Sequence, residues 1–250
     1  MKMKVLTMRT GSESYIKLTG LIYLLIAIIG GFSIGYMPNE IFVPGDGSAT
    51  TQNIINNINL FRLGIIGDIF VLIFEVLLTV MLYRLFKPVS STIAMVATFA
   101  RLAMSIIMGI NLINYLVPLL ILNKAGYFIG IESNELNSVV IIFMEAHKFG
   151  EYIWQLFFGL HLIALGYLVF KSSYFPKILG ILMMIGSIGY AGDSFVRLLL
   201  INNDIISYLT TVLLVAAVLG ELAFTFWLLI KRINMERSVK QFAKEVEFIS

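Results

Sequence analysis

Residues 61–86 read FRLGIIGDIFVLIFEVLLTVMLYRLF, an almost unbroken apolar stretch that decides the fold. A helix needs about 20 predominantly apolar residues to cross the hydrocarbon core of a bilayer, and this stretch is long enough. Comparable runs recur at about residues 18–37, 92–120, 139–170, 176–200 and 206–230. The repetition predicts an all-α integral membrane bundle of six transmembrane helices.

Composition supports the same class. Hydrophobic residues make up 59% of the 250 positions and charged residues 13%, whereas soluble globular domains are about 45–50% apolar and about 25% charged. The chain has no cysteine, which excludes disulfides and cysteine nucleophiles. The net charge of +3 comes from basic residues in short connections and at the termini. Membrane topology accounts for them, so we predict a lipid bilayer as partner and no nucleic acid.

The distribution of lysine and arginine predicts the orientation of the helices. The leader is basic, the segment 38–60 carries neither residue type, and basic residues return at the next turn with Arg84 and Lys87 and again with Lys171 and Lys177. Short basic segments lie on the cytoplasmic side of a membrane. Six crossings therefore place both termini in the cytoplasm, in a plasma membrane.

Three parts follow along the chain: a cytoplasmic leader at 1–17, a six-helix transmembrane domain at 18–230 and a cytoplasmic tail at 231–250. The leader resembles the front of a signal peptide, but no small-x-small cleavage pattern precedes Pro38, so we predict a retained first helix. In the tail, apolar residues recur with alternating spacings of four and three, at Met235, Val239, Phe242, Val246 and Ile249. That spacing is typical of an amphipathic helix, which lies on the inner leaflet or forms a homo-oligomer seam; the third alternative is a frayed tail.

Two further patterns concern the membrane boundaries. Residues Thr50 to Leu60 follow a proline- and glycine-rich segment and are predicted to form a short interfacial helix. Tyrosines near the ends of the apolar runs are predicted to act as interfacial anchors. They are Tyr15, Tyr23, Tyr36, Tyr83, Tyr115 and Tyr167.

Ionisable residues inside the apolar runs carry the functional information. A charge at the centre of a membrane helix costs at least about 2.5–3.5 kcal/mol, so such groups face the bundle interior and find partners. At a rise of about 1.5 Å per residue they fall into two layers. The outer layer contains Asp68, Asn111, His147, Glu151, Asp193 and Arg197. The layer near mid-depth contains Glu75, Arg101, His161 and Glu221.

Some of these groups have an obvious structural partner. Asp193 and Arg197 are four residues apart on one helix and are predicted to pair. Arg101 is predicted to neutralise Glu75 or Glu221 on a neighbouring helix.

Three functions remain open on these observations. The first is a membrane protein that binds or moves a small ligand or ion through a polar interior opening to the outside. The second is an intramembrane enzyme, metal-dependent if a divalent ion binds among His161, Glu151, Asp68 and Asp193. The third is a structural or accessory protein. His147 and His161 lie about 21 Å apart along a straight helix and cannot share one ion. Whether the chain is an enzyme therefore stays open, and no cofactor is predicted.

An ordered series of motifs runs through the apolar domain: Val43-Pro44-Gly45-Asp46, Leu60-Phe61-Arg62-Leu63-Gly64, Ala100-Arg101-Leu102, Phe157-Phe158-Gly159-Leu160-His161 and Asp193-Ser194-Phe195. Over about residues 15–230 this series resembles the bacterial membrane proteins of the domain of unknown function 4386 family. The resemblance implies a multipass protein of a bacterial cytoplasmic membrane and implies no established activity. It singles out polar residues within or beside the motifs, from which we predict ligand-binding candidates and two outer-loop residues. The ligand-binding candidates are Asp68, Arg101, Glu151, His161, Tyr190 and Asp193. The outer-loop residues are Asp46 and Arg62, which either join the pocket or fold the loop onto the helix ends.

Overall fold

The computed structural model describes residues 10–122, 132–201 and 203–231. Within these ranges the chain is helical with short connections and contains no strand, which confirms the predicted all-α class. The helices are Glu13–Gly30, Met37–Ile41, Gly47–Asn56, Ile58–Phe86, Ser91–Asn111, Ile113–Leu122, Ser133–Lys171, Lys177–Leu198 and Asp204–Ile230, with a π-helix at Gly31–Tyr36. The predictions for the tail beyond residue 231 and for most of the leader lie outside the described residues.

Six helical segments are long and apolar enough to cross a membrane, as predicted from the sequence. We number them span 1 to span 6: Glu13–Ile41, Ile58–Phe86, Ser91–Leu122, Ser133–Lys171, Lys177–Leu198 and Asp204–Ile230. Their outward faces carry large apolar side chains, such as Ile28 at 61% exposed and Phe99 at 64%. A helix satisfies its own backbone hydrogen bonds and can therefore present such a surface to lipid. The chain is a multipass membrane protein.

The six spans close into a ring. Each span packs against the next along the chain, and span 6 packs back against span 1. Glycines permit the closest approaches, because a Cβ at Gly189 of span 5 would lie 2.7 Å from the backbone nitrogen of Leu214 on span 6. Close backbone approach at small residues is the usual mode of helix packing in membranes.

Two apolar clusters fill the opposite ends of this ring. The cluster at the predicted cytoplasmic end includes Tyr15, Leu85, Phe86, Phe175, Leu179 and Leu228. The cluster at the other end includes Met37, Ile41, Ile54, Phe61, Tyr115 and Met144. The first cluster also reaches the middle of the bundle, where Val71 and Leu78 flank Glu75 along span 2 and Ala217 and Phe224 flank Glu221 along span 6.

The predicted short helix after the first outer loop is present as Gly47–Asn56. Its position differs from the prediction of a membrane-surface helix, because it packs across the end of span 4. Ile54 is fully buried in the cluster at that end, while Ile55 is 49% exposed. The helix therefore closes the end of the ring instead of lying on lipid.

The prediction of interfacial anchoring is wrong for three of the tyrosines, since Tyr15, Tyr23 and Tyr115 are buried. Each makes contacts inside the bundle. The hydroxyl of Tyr15 donates to the carbonyl of Met81 at 3.2 Å, while Tyr23 and Tyr115 contact polar residues of the interior. The rings of Tyr23 and Tyr115 lie against Arg101 and His147 respectively.

Candidate functional site

A buried ion pair crosses the middle of the ring. Arg101 of span 3 donates from Nε to Oε2 of Glu75 on span 2 at 2.5 Å, and from Nη2 to Oε1 at 3.0 Å. Arg101 is 1% exposed and Glu75 is 6% exposed. A two-point contact of this kind satisfies both charges inside an apolar medium. It confirms the predicted pairing and identifies Glu75 as the partner of Arg101.

His161 of span 4 completes this cluster. Its Nδ1 lies 2.8 Å from the carbonyl oxygen of Ala97, and its Nε2 lies 2.7 Å from Nη1 of Arg101. A carbonyl only accepts and a guanidinium only donates, so Nδ1 carries the proton and Nε2 accepts. Both ring nitrogens are therefore engaged. A metal ion at His161 would have to displace the hydrogen bond from Arg101 or the one to Ala97.

A cavity of about 480 Å³ lies beside this cluster and is lined by residues from all six spans. Its charged end is formed by Glu75, Arg101 and Glu221. The remaining wall is largely apolar. Its position at the centre of the ring makes it the meeting point of the six helices.

One wall of the cavity is aromatic. Trp154 and Phe158 of span 4 are stacked with ring centroids 5.2 Å apart. Tyr190 of span 5 meets Phe158 edge to face at 4.8 Å and Trp154 at 6.5 Å. On the other side, the Arg101 guanidinium lies 5.1 Å from the ring centroid of Tyr23. The cavity thus combines flat apolar surfaces with a small number of polar groups.

Glu221 of span 6 is a carboxylate of the cavity with an oxygen that lacks a hydrogen-bond partner. Its Oε1 atom is shielded from solvent and accepts no hydrogen bond, and among the described residues no ion pair to Glu221 forms. Two further shielded polar atoms of the lining, Tyr23 Oη and Thr225 Oγ1, also lack hydrogen-bond partners within the described ranges. A shielded polar group without a partner costs about 1–3 kcal/mol. Binding of a ligand that supplies partners offsets that cost.

The cavity reaches the side of the ring between spans 1 and 6. These spans touch near Gly20, where a Cβ would lie 2.9 Å from Cβ of Leu228. Farther along, the cavity lining includes the exposed residues Gly31, Gly35 and Val218. A Cβ at either glycine would meet nothing within 4 Å. The opening therefore faces the membrane sideways, whereas the sequence predicted a polar interior opening to the outside.

The backbone of span 1 changes at this opening, where residues Gly31–Tyr36 form a π-helix. The wider π turn is often found at functional sites of helices. Here it brings Ser33 into the bundle, where its buried hydroxyl lies close to the carboxylate of Asp68 without a hydrogen bond of good geometry.

A second polar cluster lies toward the apolar cluster that includes Met37, Phe61 and Tyr115. His147 Nδ1 lies 3.2 Å from the carbonyl oxygen of Asn111, and the Asn111 amide donates to the His147 carbonyl at 2.9 Å. Tyr115 stacks on the His147 ring at 3.6 Å between centroids. Glu151 Oε1 lies 3.5 Å from His147 Nε2. Four residues of the predicted outer layer therefore lie close together: Asn111, His147 and Glu151 are in contact, and Asp68 lies within electrostatic range of His147 and Glu151.

The ligand-binding candidates divide among four places. Arg101 and Tyr190 line the cavity, and His161 lies outside the lining, where it accepts a hydrogen bond from Arg101. Asp68 and Glu151 belong to the second cluster. Asp193 instead forms the predicted pair with Arg197, at 3.4 Å.

The two outer-loop residues lie away from the cavity. Asp46 accepts from the backbone nitrogen of Ala49 at 2.8 Å and caps the helix Gly47–Asn56, so it folds the outer loop. Arg62 is exposed near the start of span 2.

The metal candidates do not converge in the described residues. No group of three or more His, Asp or Glu side chains in these ranges is arranged to hold a metal ion. His161 is engaged with Arg101, and Asp193 is paired with Arg197. The divalent metal stays a prediction from the sequence.

Most cavity residues are absent from the predicted site, including Tyr23, Trp154, Phe158 and Glu221. A signal existed for most of these four. Trp154, Phe158 and His161 follow a spacing of four and three, which places them on one helix face. The sequence also predicts that Glu221 lies at the same depth as Arg101, but it does not determine which carboxylate pairs with the arginine.

Comparisons with known proteins agree with the resemblance seen in the motifs. A family described as "Domain of unknown function (DUF4386)" matches residues 18–231. A protein of Archaeoglobus fulgidus described as "Uncharacterized protein" is 31% identical over 169 residues, which cover 67% of this chain and 82% of that protein. No solved structure matches the chain.

Proposed function

Since the chain belongs to the DUF4386 family, a domain of unknown function, we propose from its geometry that it binds a small, largely apolar ligand inside the ring of six spans. The observation that carries this proposal is the cavity of about 480 Å³ at the meeting point of all six spans. Ligand sites in proteins are typically about 300–1,000 Å³ and largely apolar, with a few placed polar groups. Glu221 and Tyr190 are such groups here.

The polar layout favours binding over a purely structural role. The Arg101–Glu75–His161 cluster is satisfied by its own contacts and explains how spans 2, 3 and 4 are held together. Glu221 adds nothing to that cluster by hydrogen bonding. A shielded carboxylate beside a cavity costs stability unless something binds it.

We place the protein in a bacterial plasma membrane with both termini in the cytoplasm. The basic residues of the leader and of the turns after spans 2 and 4 support this orientation. A homo-oligomer formed through the tail belongs to the same proposal.

Tryptophan fluorescence provides the test, because the chain has two tryptophans and one of them, Trp154, lines the cavity. In the Trp227→Phe variant, reconstituted in phospholipid vesicles, Trp154 is the sole tryptophan, and excitation at the red edge of the absorption band selects it over the tyrosines. The probe is para-bromoneopentylbenzene, whose bromine quenches tryptophan on contact. We expect saturable quenching from occupation of the cavity, over a linear background from probe dissolved in lipid.

Variants in span 1 separate the two contributions. Gly31→Phe adds a side chain at the cavity lining and is expected to remove the saturable part, while Ile28→Phe adds the same side chain on the outward face and is expected to keep it. Ala27→Phe is a second blocking variant, used if Gly31→Phe loses its helical circular dichroism. The proposal fails if a folded blocking variant binds the probe as well as the unblocked protein.

A further inference from the structure

The charged end of the cavity carries an excess of negative charge. Its ionisable acids and bases, within the described residues, are Glu75, Glu221 and Arg101. Glu75 and Arg101 neutralise each other in a two-point ion pair. Glu221 remains as a second carboxylate, and its shielded Oε1 accepts no hydrogen bond from a described residue. A carboxylate in such surroundings is neutralised by a proton or by a cation.

Arg101 is largely engaged by its neighbours. Its Nε and Nη2 bind Glu75, and its Nη1 binds His161. An anion at the cavity would have to compete with these contacts and would also meet the carboxylate of Glu221. The contacts of Arg101 are thus made mainly to side chains of the cavity wall, and they do not favour an anion site.

The aromatic wall suits a cation in the same place. Trp154, Phe158 and Tyr190 form one cluster along the cavity, and Tyr190 lies within electrostatic range of Glu221. Aromatic faces attract ammonium groups, and most strongly where water is excluded. Neutral apolar ligands would fit the same rings but would leave Glu221 unpaired.

The opening between spans 1 and 6 sets the second property of the ligand. Gly31 and Gly35 leave the cavity accessible from the side of the ring, where the neighbouring surface is apolar. A ligand entering by this route dissolves in the membrane before it binds. The charged group of the ligand must therefore be attached to a hydrophobic remainder.

We propose, building on the ligand-binding function above, that the cavity selects hydrophobic organic cations of the amine or quaternary ammonium class. The positive group lies between Glu221 and the rings of Trp154 and Phe158, and the apolar body extends toward Gly31. Neutral and anionic compounds of the same shape bind more weakly.

The test compares two probes of one shape in the Trp227→Phe protein. One is para-bromobenzyltrimethylammonium, and the other is para-bromoneopentylbenzene, in which carbon replaces the ammonium nitrogen. The quantity measured is the ratio of their dissociation constants from saturable quenching of Trp154. In Glu221→Gln we expect the cation to lose about tenfold or more in affinity, because a charged contact is worth at least that factor in a water-excluded site. The neutral probe is expected to change little.

The control variant is Asp204→Asn, which removes an exposed carboxylate at the start of the same span and is expected to leave the ratio unchanged. Phe158→Leu is a second site variant that keeps Glu221 and is expected to weaken the cation several-fold more than the neutral probe. If Glu221→Gln does not fold, the affinities of Phe158→Leu for the two probes test cation selection.

The outcomes distinguish the two proposals. Preference for the cation that depends on Glu221 supports both. Equal binding of both probes, unchanged in Glu221→Gln and Phe158→Leu, overturns cation selection and leaves ligand binding standing. Absence of saturable quenching by either probe overturns ligand binding itself.

Discussion

Arg101 of span 3 and Glu75 of span 2 are joined at two points, 2.5 Å and 3.0 Å, and the same guanidinium also donates to His161 of span 4. Three of the six spans thus meet at one buried charge. A charge in this medium is stable only with partners of good geometry. The cluster therefore fixes the wall against which a ligand would lie.

Removing one member of this cluster is expected to be costly. In Glu75→Gln the buried guanidinium of Arg101 loses its counter-ion, and we expect the free energy of unfolding to fall by about 3–5 kcal/mol. Reversible unfolding in mixed micelles measures this loss. The control is Lys17→Ala, which breaks an exposed pair with Glu13 and is expected to cost at most about 1 kcal/mol. Equal losses in the two variants would contradict a central role for the buried pair.

Asp68 is expected to behave in the opposite way, although it lies on the same helix face as Glu75. Neither of its carboxylate oxygens has a hydrogen bond to a described residue. In Asp68→Asn the charge disappears, and the amide supplies donors for the nearby hydroxyl of Ser33. Because an unpaired buried charge costs more than an amide, we expect unchanged or higher stability in the same unfolding assay at pH 8. A loss comparable to that of Glu75→Gln would show that Asp68 has a partner of its own.

The tautomer of His161 follows from its two neighbours. Nδ1 faces the Ala97 carbonyl and Nε2 faces Arg101, so the ring is neutral with its proton on Nδ1. Solid-state nitrogen NMR of protein labelled at histidine, with His147 replaced by asparagine, resolves this ring alone. We expect one protonated and one unprotonated nitrogen, the protonated one being Nδ1. An imidazolium, or a proton on Nε2, would contradict the hydrogen-bond arrangement.

Close helix approach predicts a contrast between two glycines. A Cβ at Gly189 would lie 2.7 Å from Cβ of Leu213 and from the backbone of Leu214, whereas a Cβ at Gly35 would meet nothing within 4 Å. We therefore expect Gly189→Ala to lower the free energy of unfolding by about 1–3 kcal/mol and Gly35→Ala to leave it nearly unchanged. If Gly189→Ala is tolerated as well as Gly35→Ala, spans 5 and 6 are not packed as closely as described.

Much of the architecture was predictable because lipid imposes strong constraints. Each span had to be a long apolar helix, and ionisable residues had to face one another. The pairing of Asp193 with Arg197 followed from helix spacing alone. The choice of Glu75 over Glu221 by Arg101 did not, since it depends on how spans 2, 3 and 6 are placed around the ring.

The cavity itself could not be predicted from the sequence, for a related reason. It depends on the closure of span 6 against span 1 at Gly20 and on the separation of these spans at Gly31 and Gly35. Glycines in membrane helices usually permit close packing, so the same residue type marks a contact at one position and an opening at another. Only the three-dimensional arrangement distinguishes the two.

The most direct test of ligand binding is the position of bromine in crystals of the protein soaked with para-bromobenzyltrimethylammonium. Anomalous scattering locates bromine independently of the rest of the density. Binding in the ring predicts a peak inside the cavity, with density for the ammonium group between Glu221 and the rings of Trp154 and Phe158. Bromine found on the outward faces of the spans and never inside the ring, at concentrations that saturate quenching of Trp154, would contradict it.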